Sequence, residues 1–226
     1  MNERSLHSEI KKVYSLPGDH FEAKLDNYIV DILGGQLIIE VQTKNFSALK
    51  EKLQALTEKH QVRLVYPLPE KKWITYLTKE NVVINKRKSP KKGKLTDLFR
   101  ELVMIPHMIG DENFSLEVLL IDEEGVRCND GKVSWRRRGV SIKERRLLQV
   151  NSQILFQNKT DYLKILPDSL NQVFTNKELS KLAKIPVRTA RQITYCLRKS
   201  NIILLAPNKG RELAFQLAPK IKKKIE

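Results

Sequence analysis

Three polar residues lie in a stretch that otherwise reads as two apolar strands. Asp31, Glu40 and Gln42 fall within YIVDILGGQLIIEVQTK, residues 28–44. Two carboxylates and an amide supply hard oxygen ligands, which suit Mg²⁺, an ion that keeps several waters and accepts a substrate phosphate. These residue types therefore indicate phosphate chemistry at a divalent ion.

The spacing of the two acids predicts that they share one face of a hairpin. Glycine tolerates positive φ, so we expect a two-residue turn at Gly34-Gly35. In that register Asp31 lies opposite Ile38 and is a diagonal neighbour of Glu40, roughly 7–8 Å away at the backbone. Two desolvated carboxylates repel each other at this distance, and a cation between them removes much of the cost. A solvated sheet face is the alternative that the sequence leaves open.

The elements around the hairpin indicate a mixed α/β sheet. Apolar residues at helical spacing predict helices at 5–14 and 45–60, and a short apolar run predicts a strand at 62–68. The order is α, β, β, α, β. A helix that joins two strands favours a right-handed crossover between parallel strands.

This arrangement resembles the PD-(D/E)XK nuclease superfamily, the restriction-endonuclease-like and Holliday-junction-resolvase-like enzymes. The superfamily has an acid on a first helix, then Asp, then Glu-x-Lys on the next strand. The matching residues are Glu9, Asp31, Glu40 and Gln42, and the resemblance covers roughly residues 1–70. It implies a restriction-endonuclease-like mixed sheet flanked by helices, whose core has one strand more than the sequence predicts.

The resemblance also implies a role for each residue of the site. Asp31 and Glu40 would bind Mg²⁺ or Mn²⁺, with Glu9 completing the metal shell, and the enzyme would hydrolyse DNA phosphodiesters. Gln42 stands where the superfamily usually has lysine. Either Gln42 or Lys44, two residues further along the same face, would then orient the attacking water.

Net charge supports a polyanionic partner. The chain has 226 residues, 42 of them basic and 26 acidic, for a formal net charge of +16. Such an excess favours nucleic acid or an acidic membrane surface. The polar N-terminus and the absence of a membrane-length apolar run favour a cytoplasmic protein whose partner is DNA and not a membrane. Two cysteines outside any CxxC pair indicate neither a zinc knuckle nor a disulfide scaffold.

The last third of the chain predicts a winged helix-turn-helix. Residues 175–185 read as a short helix with a capping box formed by Thr175 and Glu178. A second helix follows Pro186, and two strands flank the turn at 208–211. The second helix and the wing would contact DNA through exposed polar side chains: Arg188, Thr189, Arg191, Gln192, Lys209 and Arg211.

Two domains are expected, a nuclease domain at 1–155 and a winged helix at 160–226. Within the first domain, residues 85–150 have no assigned role, although a basic loop at 86–94 and the arginines of WRRRG at 135–139 could contact phosphates. The main alternative is a nuclease fold that has lost catalysis and acts as a DNA-binding regulatory or accessory factor. A module of a larger complex is another, and the sequence does not decide between a monomer and a homodimer.

Overall fold

A mixed sheet of seven strands dominates the protein. The structure, a computed structural model, describes residues 5–129 and 140–222, so the WRRRG segment lies outside the described residues. The strands are β1 (His20–Leu25), β2 (Tyr28–Gly34), β3 (Leu37–Val41), β4 (Gln61–Leu77), β5 (Val83–Lys88), β6 (Phe114–Asn129) and β7 (Val140–Phe156).

The order of strands across the sheet is β1-β2-β3-β4-β6-β7, and β5 also pairs with β4. Strand β2 is antiparallel to β1 and β3, whereas β3, β4 and β6 run parallel, and β7 is antiparallel to β6. The first part of β4 pairs with β3 and its last part pairs with β5. One edge of β4 therefore carries β3 and then β5.

Helices cover both faces of this sheet. On one face α1 (Ser5–Tyr14) buries Leu6 and Ile10 against strands β2, β3, β4 and β6. On the other face lie α2 (Lys50–Thr57), which begins with a 3-10 turn at Phe46–Leu49, and α3 (Phe99–Leu102). The predicted mixed α/β architecture with flanking helices is confirmed.

Strand β1 was not predicted. The sequence indicated two strands before α2, and the protein has three. His20–Leu25 has only exposed or half-buried residues because it is an edge strand, so it lacks the apolar pattern that marks the buried strands.

Strand β4 is longer than the sequence indicated, because it runs through Pro67 and Pro69. The Val65 carbonyl accepts a hydrogen bond from Gln42 N–H, so the backbone polar groups of Val65 point toward β3. The backbone groups of a strand alternate between its two edges, so those of Pro67 and Pro69 face the same edge as those of Val65. At that level β3 has already ended. Proline has no N–H to donate, so a strand tolerates it where no neighbouring strand needs that donor.

The C-terminal residues form a second, smaller unit. Its sheet has the order β8-β10-β9, from β8 (Val173–Thr175), β9 (Ile203–Lys209) and β10 (Glu212–Leu217). Its helices are α4 (Asn176–Leu182), α5 (Val187–Lys199) and α6 (Pro219–Lys222). The capping box that starts α4 is confirmed, with Thr175 and Glu178 bonded reciprocally. Helix α5 packs on α3, so the two units share one hydrophobic core.

No helix within residues 5–129 and 140–222 combines the length and the apolar character needed to cross a bilayer.

Candidate active site at the β2–β3 hairpin

The hairpin register places Asp31 opposite Glu40. Leu37 pairs with Gly34 and Ile39 with Ile32, so the turn is Gly35-Gln36 and not Gly34-Gly35. Gly35 has φ +56°, the conformation for which glycine is suited. The predicted diagonal relation between the acids was wrong. They lie across from each other just beyond the last paired residues, Ile32 and Ile39.

The two carboxylates replace backbone carbonyls in the ladder between the strands. Asp31 N–H donates to Glu40 Oε1 at 3.2 Å, and Val41 N–H donates to Asp31 Oδ2 at 2.8 Å. Each acid thus accepts a hydrogen bond from the backbone of the opposite strand. These bonds hold both side chains at the point where β2 and β3 separate.

Strand β2 is irregular at Asp31. Val30 packs in the cluster under α2, whereas Ile32 packs in the cluster under α1. Residues two apart in a regular strand would face the same side. Glu22, which lies opposite Asp31 on β1, has φ +48°, a left-handed conformation that is uncommon for a non-glycine residue. The irregularity turns the Asp31 carboxylate toward α1.

Helix α1 supplies a histidine and a lysine as partners to Asp31. His7 Nε2 lies 3.0 Å from Asp31 Oδ2, and Lys11 Nζ lies 3.8 Å from Oδ1. Burial alone would raise the pKa of Asp31, but the hydrogen bonds from His7 and Val41 N–H and the charges of His7 and Lys11 outweigh it. The pKa is lowered, so Asp31 is a stable anion at neutral pH.

Helix α2 supplies the partner of Glu40. Lys52 Nζ lies 2.6 Å from Glu40 Oε1 and also donates to the Ile29 carbonyl at 2.6 Å. Glu40 is only 2% exposed. Burial, with the repulsion of Asp31 added, raises the pKa of Glu40 despite the attraction of Lys52. The two acids thus have pKa values displaced in opposite directions.

The other predicted site residues lie apart from this pair. Glu9 accepts a hydrogen bond from Leu147 N–H at 2.6 Å, at strand β7. Gln42 donates from its amide to the Asn45 carbonyl at 3.1 Å, and Lys44 is exposed. Asp31 and Glu40 lie together, whereas the Glu9 carboxylate lies at β7 and the Gln42 amide faces the loop at Asn45.

Sequence reasoning missed the cations around the acids. Neither His7 nor Lys52 was assigned a role from the sequence. The helical period held a signal for Lys52, because it follows Leu49 by three positions and precedes Leu56 by four, which places it beside the apolar stripe of α2. Nothing in the sequence linked Lys52 to Glu40, since twelve positions separate them.

The oxygen ligands present suit a minimal magnesium site. No group of three or more His, Cys, Asp or Glu side chains suited to a metal occurs within the described part of the chain. Mg²⁺ is often bound by one or two carboxylates, with waters and substrate phosphate completing the shell. The Asp31–Glu40 pair fits that use, and Glu9 has no part in it.

Helix α5 exposes one continuous polar stripe. Arg188, Arg191, Tyr195 and Arg198 are exposed and Gln192 is half-buried. Thr189 is only 4% exposed, so it is not part of this stripe, and the expectation that its side chain is exposed was wrong.

In the predicted wing, Lys209 at the end of β9 pairs with Glu178 of α4, with Nζ 2.9 Å from Oε1. Arg211, in the turn that follows, is exposed. Arg211 is therefore open to a partner, whereas Lys209 must leave an ion pair to reach one.

Comparison with known proteins gives a family without an assigned activity. No solved structure matches the chain. A protein of Treponema pallidum (strain Nichols) described as "Uncharacterized protein" is 31% identical over 180 residues, which cover 79% of this chain and 72% of that protein. Residues 4–157, from α1 to the end of β7, match the family described as "Domain of unknown function (DUF8091)". The chain therefore belongs to the DUF8091 family.

Proposed function

We propose that the protein is a metal-dependent DNA endonuclease with a restriction-endonuclease-like core and a C-terminal winged helix. One observation carries this proposal: Asp31 and Glu40 face each other where β2 and β3 separate, and Lys52 contacts Glu40. Each carboxylate is already ion-paired and accepts a backbone hydrogen bond, which offsets the cost of burying its charge. Metal-dependent phosphodiester hydrolysis is the reaction that we propose for these two carboxylates.

The order of elements supports the same proposal. The chain runs α1, β1, β2, β3, α2, β4, with α1 and α2 on opposite faces. In this proposal β1 would be the core strand that the sequence had left out of the resemblance. Both acids then lie on the central hairpin of that core.

Each residue has a separate task in this proposal. Asp31 and Glu40 would hold the ion, which when bound polarises the scissile phosphate and acidifies the attacking water. His7 and the Val41 N–H orient the Asp31 carboxylate. Lys52, instead of Gln42 or Lys44, is the cation placed beside Glu40, where it can stabilise a phosphate or hold the water.

A second candidate is a DNA-binding protein without catalysis. The charge balance around the acids favours it, because His7, Lys11 and Lys52 already offset Asp31 and Glu40. The two candidates differ in their response to metal. An endonuclease cuts DNA when Mg²⁺ or Mn²⁺ is present and stops when the ion is chelated, whereas the binding protein never cuts.

Metal binding at the acid pair predicts a thermal shift. Mg²⁺ or Mn²⁺ at about 100 times its dissociation constant should stabilise the full chain by about 2.7 kcal/mol through mass action. Asp31→Ala should lose most of that shift and Glu9→Ala should keep it, since only Asp31 belongs to the pair. Thermal melts with and without each ion measure this. Equal shifts in the wild type and in Asp31→Ala would place the metal elsewhere.

The winged helix is proposed from the element order β8-α4-α5-β9-β10 and the exposed stripe on α5. Arginine suits guanine edges and backbone phosphates, and the second helix of such a module enters the major groove.

Loss of the stripe should weaken DNA binding. Arg188→Ala with Arg191→Ala in the full chain should lower duplex DNA affinity at least about tenfold, because each arginine that contacts DNA contributes roughly 1–3 kcal/mol. Fluorescence anisotropy with labelled duplex DNA measures the affinity. The matched control is Lys24→Gln with Lys59→Gln, which removes two exposed charges elsewhere. If both double variants bind alike, α5 does not contact DNA.

A further inference from the structure

The segment that follows β4 returns along the edge of β4 that β3 leaves open. Strand β5 pairs with β4 from Leu77 back to Trp73. Ser89 N–H then donates to the Lys72 carbonyl at 2.7 Å, and Gly93 N–H donates to the Pro69 carbonyl at 2.8 Å. The first third of the predicted basic loop, residues 86–88, is therefore strand, and the rest is tied to the sheet by backbone hydrogen bonds at Ser89 and Gly93.

This edge is strongly basic. We define the basic edge as the charged residues of 86–94, which are Lys86, Arg87, Lys88, Lys91, Lys92 and Lys94. All six are exposed, and no acid occurs between Asn81 and Thr96. Lysine on an edge strand also prevents edge-to-edge pairing of sheets. Prevention of edge-to-edge pairing needs only one or two charges. It explains neither the arginines nor the aromatic residues beside them.

On one face of the edge, two arginines flank a tyrosine. Arg127 Nη1 donates to the Tyr76 hydroxyl at 3.4 Å, and its guanidinium lies 5.9 Å from the Tyr76 ring centre. Arg87 also bonds that hydroxyl, and this bond, ahead of the effects of Arg127, lowers the pKa of Tyr76. The group that both arginines share is thus a phenol and not a carboxylate.

On the other face, lysines surround a tryptophan. Lys86 and Lys88 each place Nζ 5.9 Å from the centre of the Trp73 ring. Arg87 points to the opposite side, since successive side chains of a strand alternate between faces. The same edge therefore presents cations on both sides at once. That arrangement suits a groove whose two walls both carry phosphates.

The basic edge is in line with the Asp31–Glu40 pair. Glu40 is level with Leu64 on β4, and Lys88 is level with Trp73, nine residues further along the same edge. At about 3.3 Å per residue this separation is roughly 30 Å. Successive phosphates of one DNA strand rise about 3.4 Å along the helix axis, so a bound duplex would span the gap with about nine of them.

We propose that the basic edge, together with the adjacent Arg127 of β6, binds the phosphate backbone of the duplex DNA that flanks the Asp31–Glu40 site, with Arg87 and Arg127 as the principal contacts. This inference rests on the proposed function and adds to it a second DNA surface, distinct from α5. Lys88, Lys91 and Lys92 continue the contact toward the acid pair. The edge would fix the distance between the acids and the DNA segment that the protein holds.

The test is binding of labelled duplex DNA by the full chain across a range of salt concentrations. Arg87→Gln with Arg127→Gln should lower affinity about tenfold and reduce the slope of log affinity against log salt by about two. Glutamine keeps a donor for the Tyr76 hydroxyl, so the sheet should stay folded, and a thermal melt verifies this. A second variant, Lys88→Gln with Lys91→Gln, lies outside the tyrosine cluster and should also reduce the slope.

The control is again Lys24→Gln with Lys59→Gln, which should bind as the wild type does. If the wild type binds but both edge variants match the control, the basic edge is not a DNA surface, while the proposed function stands. If the edge variants aggregate with unchanged affinity, the charges only protect the edge, and the inference is overturned. If the wild type itself does not bind DNA, the proposed function and this inference both fail.

Discussion

Replacing Lys52 with methionine should destabilise the protein by about 3 kcal/mol at neutral pH, because it leaves a buried carboxylate without its ion-pair partner. Lys52 lies 2.6 Å from Glu40, whose side chain is 3% exposed. Lys44→Met is the matched control. It removes an exposed lysine that does not pair with either acid and should change stability by less than about 0.5 kcal/mol.

The cost of Lys52→Met should also depend on pH. Burial already raises the pKa of Glu40 against the attraction of Lys52, and loss of Lys52 raises it further. An acid whose pKa is raised by folding favours the folded state below its unfolded pKa, and this contribution is lost as pH rises through the folded pKa. The deficit of Lys52→Met should therefore be largest at neutral pH and shrink as pH falls toward 4.5, the ordinary glutamate value.

Urea unfolding of the wild type, Lys52→Met and Lys44→Met over that pH range measures both effects. Adding Glu40→Gln to Lys52→Met should recover part of the loss, since the unpaired charge is removed with it. A deficit that stays the same at every pH, or that equals that of Lys44→Met, would show that Lys52 does not stabilise an ionised Glu40.

Glu40→Gln should abolish DNA cleavage and leave DNA affinity intact or improved. A metal ligand contributes several kcal/mol to transition-state stabilisation, so the rate should fall by at least about 100-fold. Affinity should not fall, because a negative charge near the phosphate is removed. Glutamine can still accept the Asp31 N–H bond, so the hairpin should keep its geometry. Cleavage of labelled DNA and anisotropy measured on the same protein separate the two properties.

Variants of the neighbouring polar residues are the controls for that experiment. Gln42→Lys, which restores the usual residue of the superfamily, should keep or raise activity. Lys44→Ala should change little, because the cation beside Glu40 comes from Lys52. If Lys44→Ala were as inactive as Glu40→Gln, the assignment of Lys52 would be wrong.

The sequence indicated the sheet and its helices because the buried elements carry strong periodic patterns. Leu6 and Ile10 on α1 and the apolar run of β3 are examples. Strand β1 was not predicted because an edge strand buries few of its side chains. The length of β4 was not predicted because Pro67, which has no N–H, reads as a strand end unless the neighbouring edge is known to be empty there. Both errors concern position in the sheet, which local pattern does not encode.

The candidate site was only partly predictable for a similar reason. Alternation was enough to bring Asp31 and Glu40 together, but the register depended on which residues form the turn, and Gly34 and Gly35 gave two choices. The irregularity at Asp31 and its contacts with α1 arise from tertiary packing. Glu9 was assigned from resemblance, and its carboxylate serves the backbone of β7 instead.

Cleavage of DNA by the purified wild-type chain tests the central claim most directly. Linear, nicked, branched and single-stranded DNA would each be incubated with Mg²⁺ or Mn²⁺ and with a chelator, alongside Glu40→Gln. We expect the wild type to cut at least one of these substrates in the presence of metal. Neither the wild type with chelator nor Glu40→Gln should cut any of them. If every substrate stays intact with either ion, and Gln42→Lys does not restore cutting, the Asp31–Glu40 pair is not a nuclease centre.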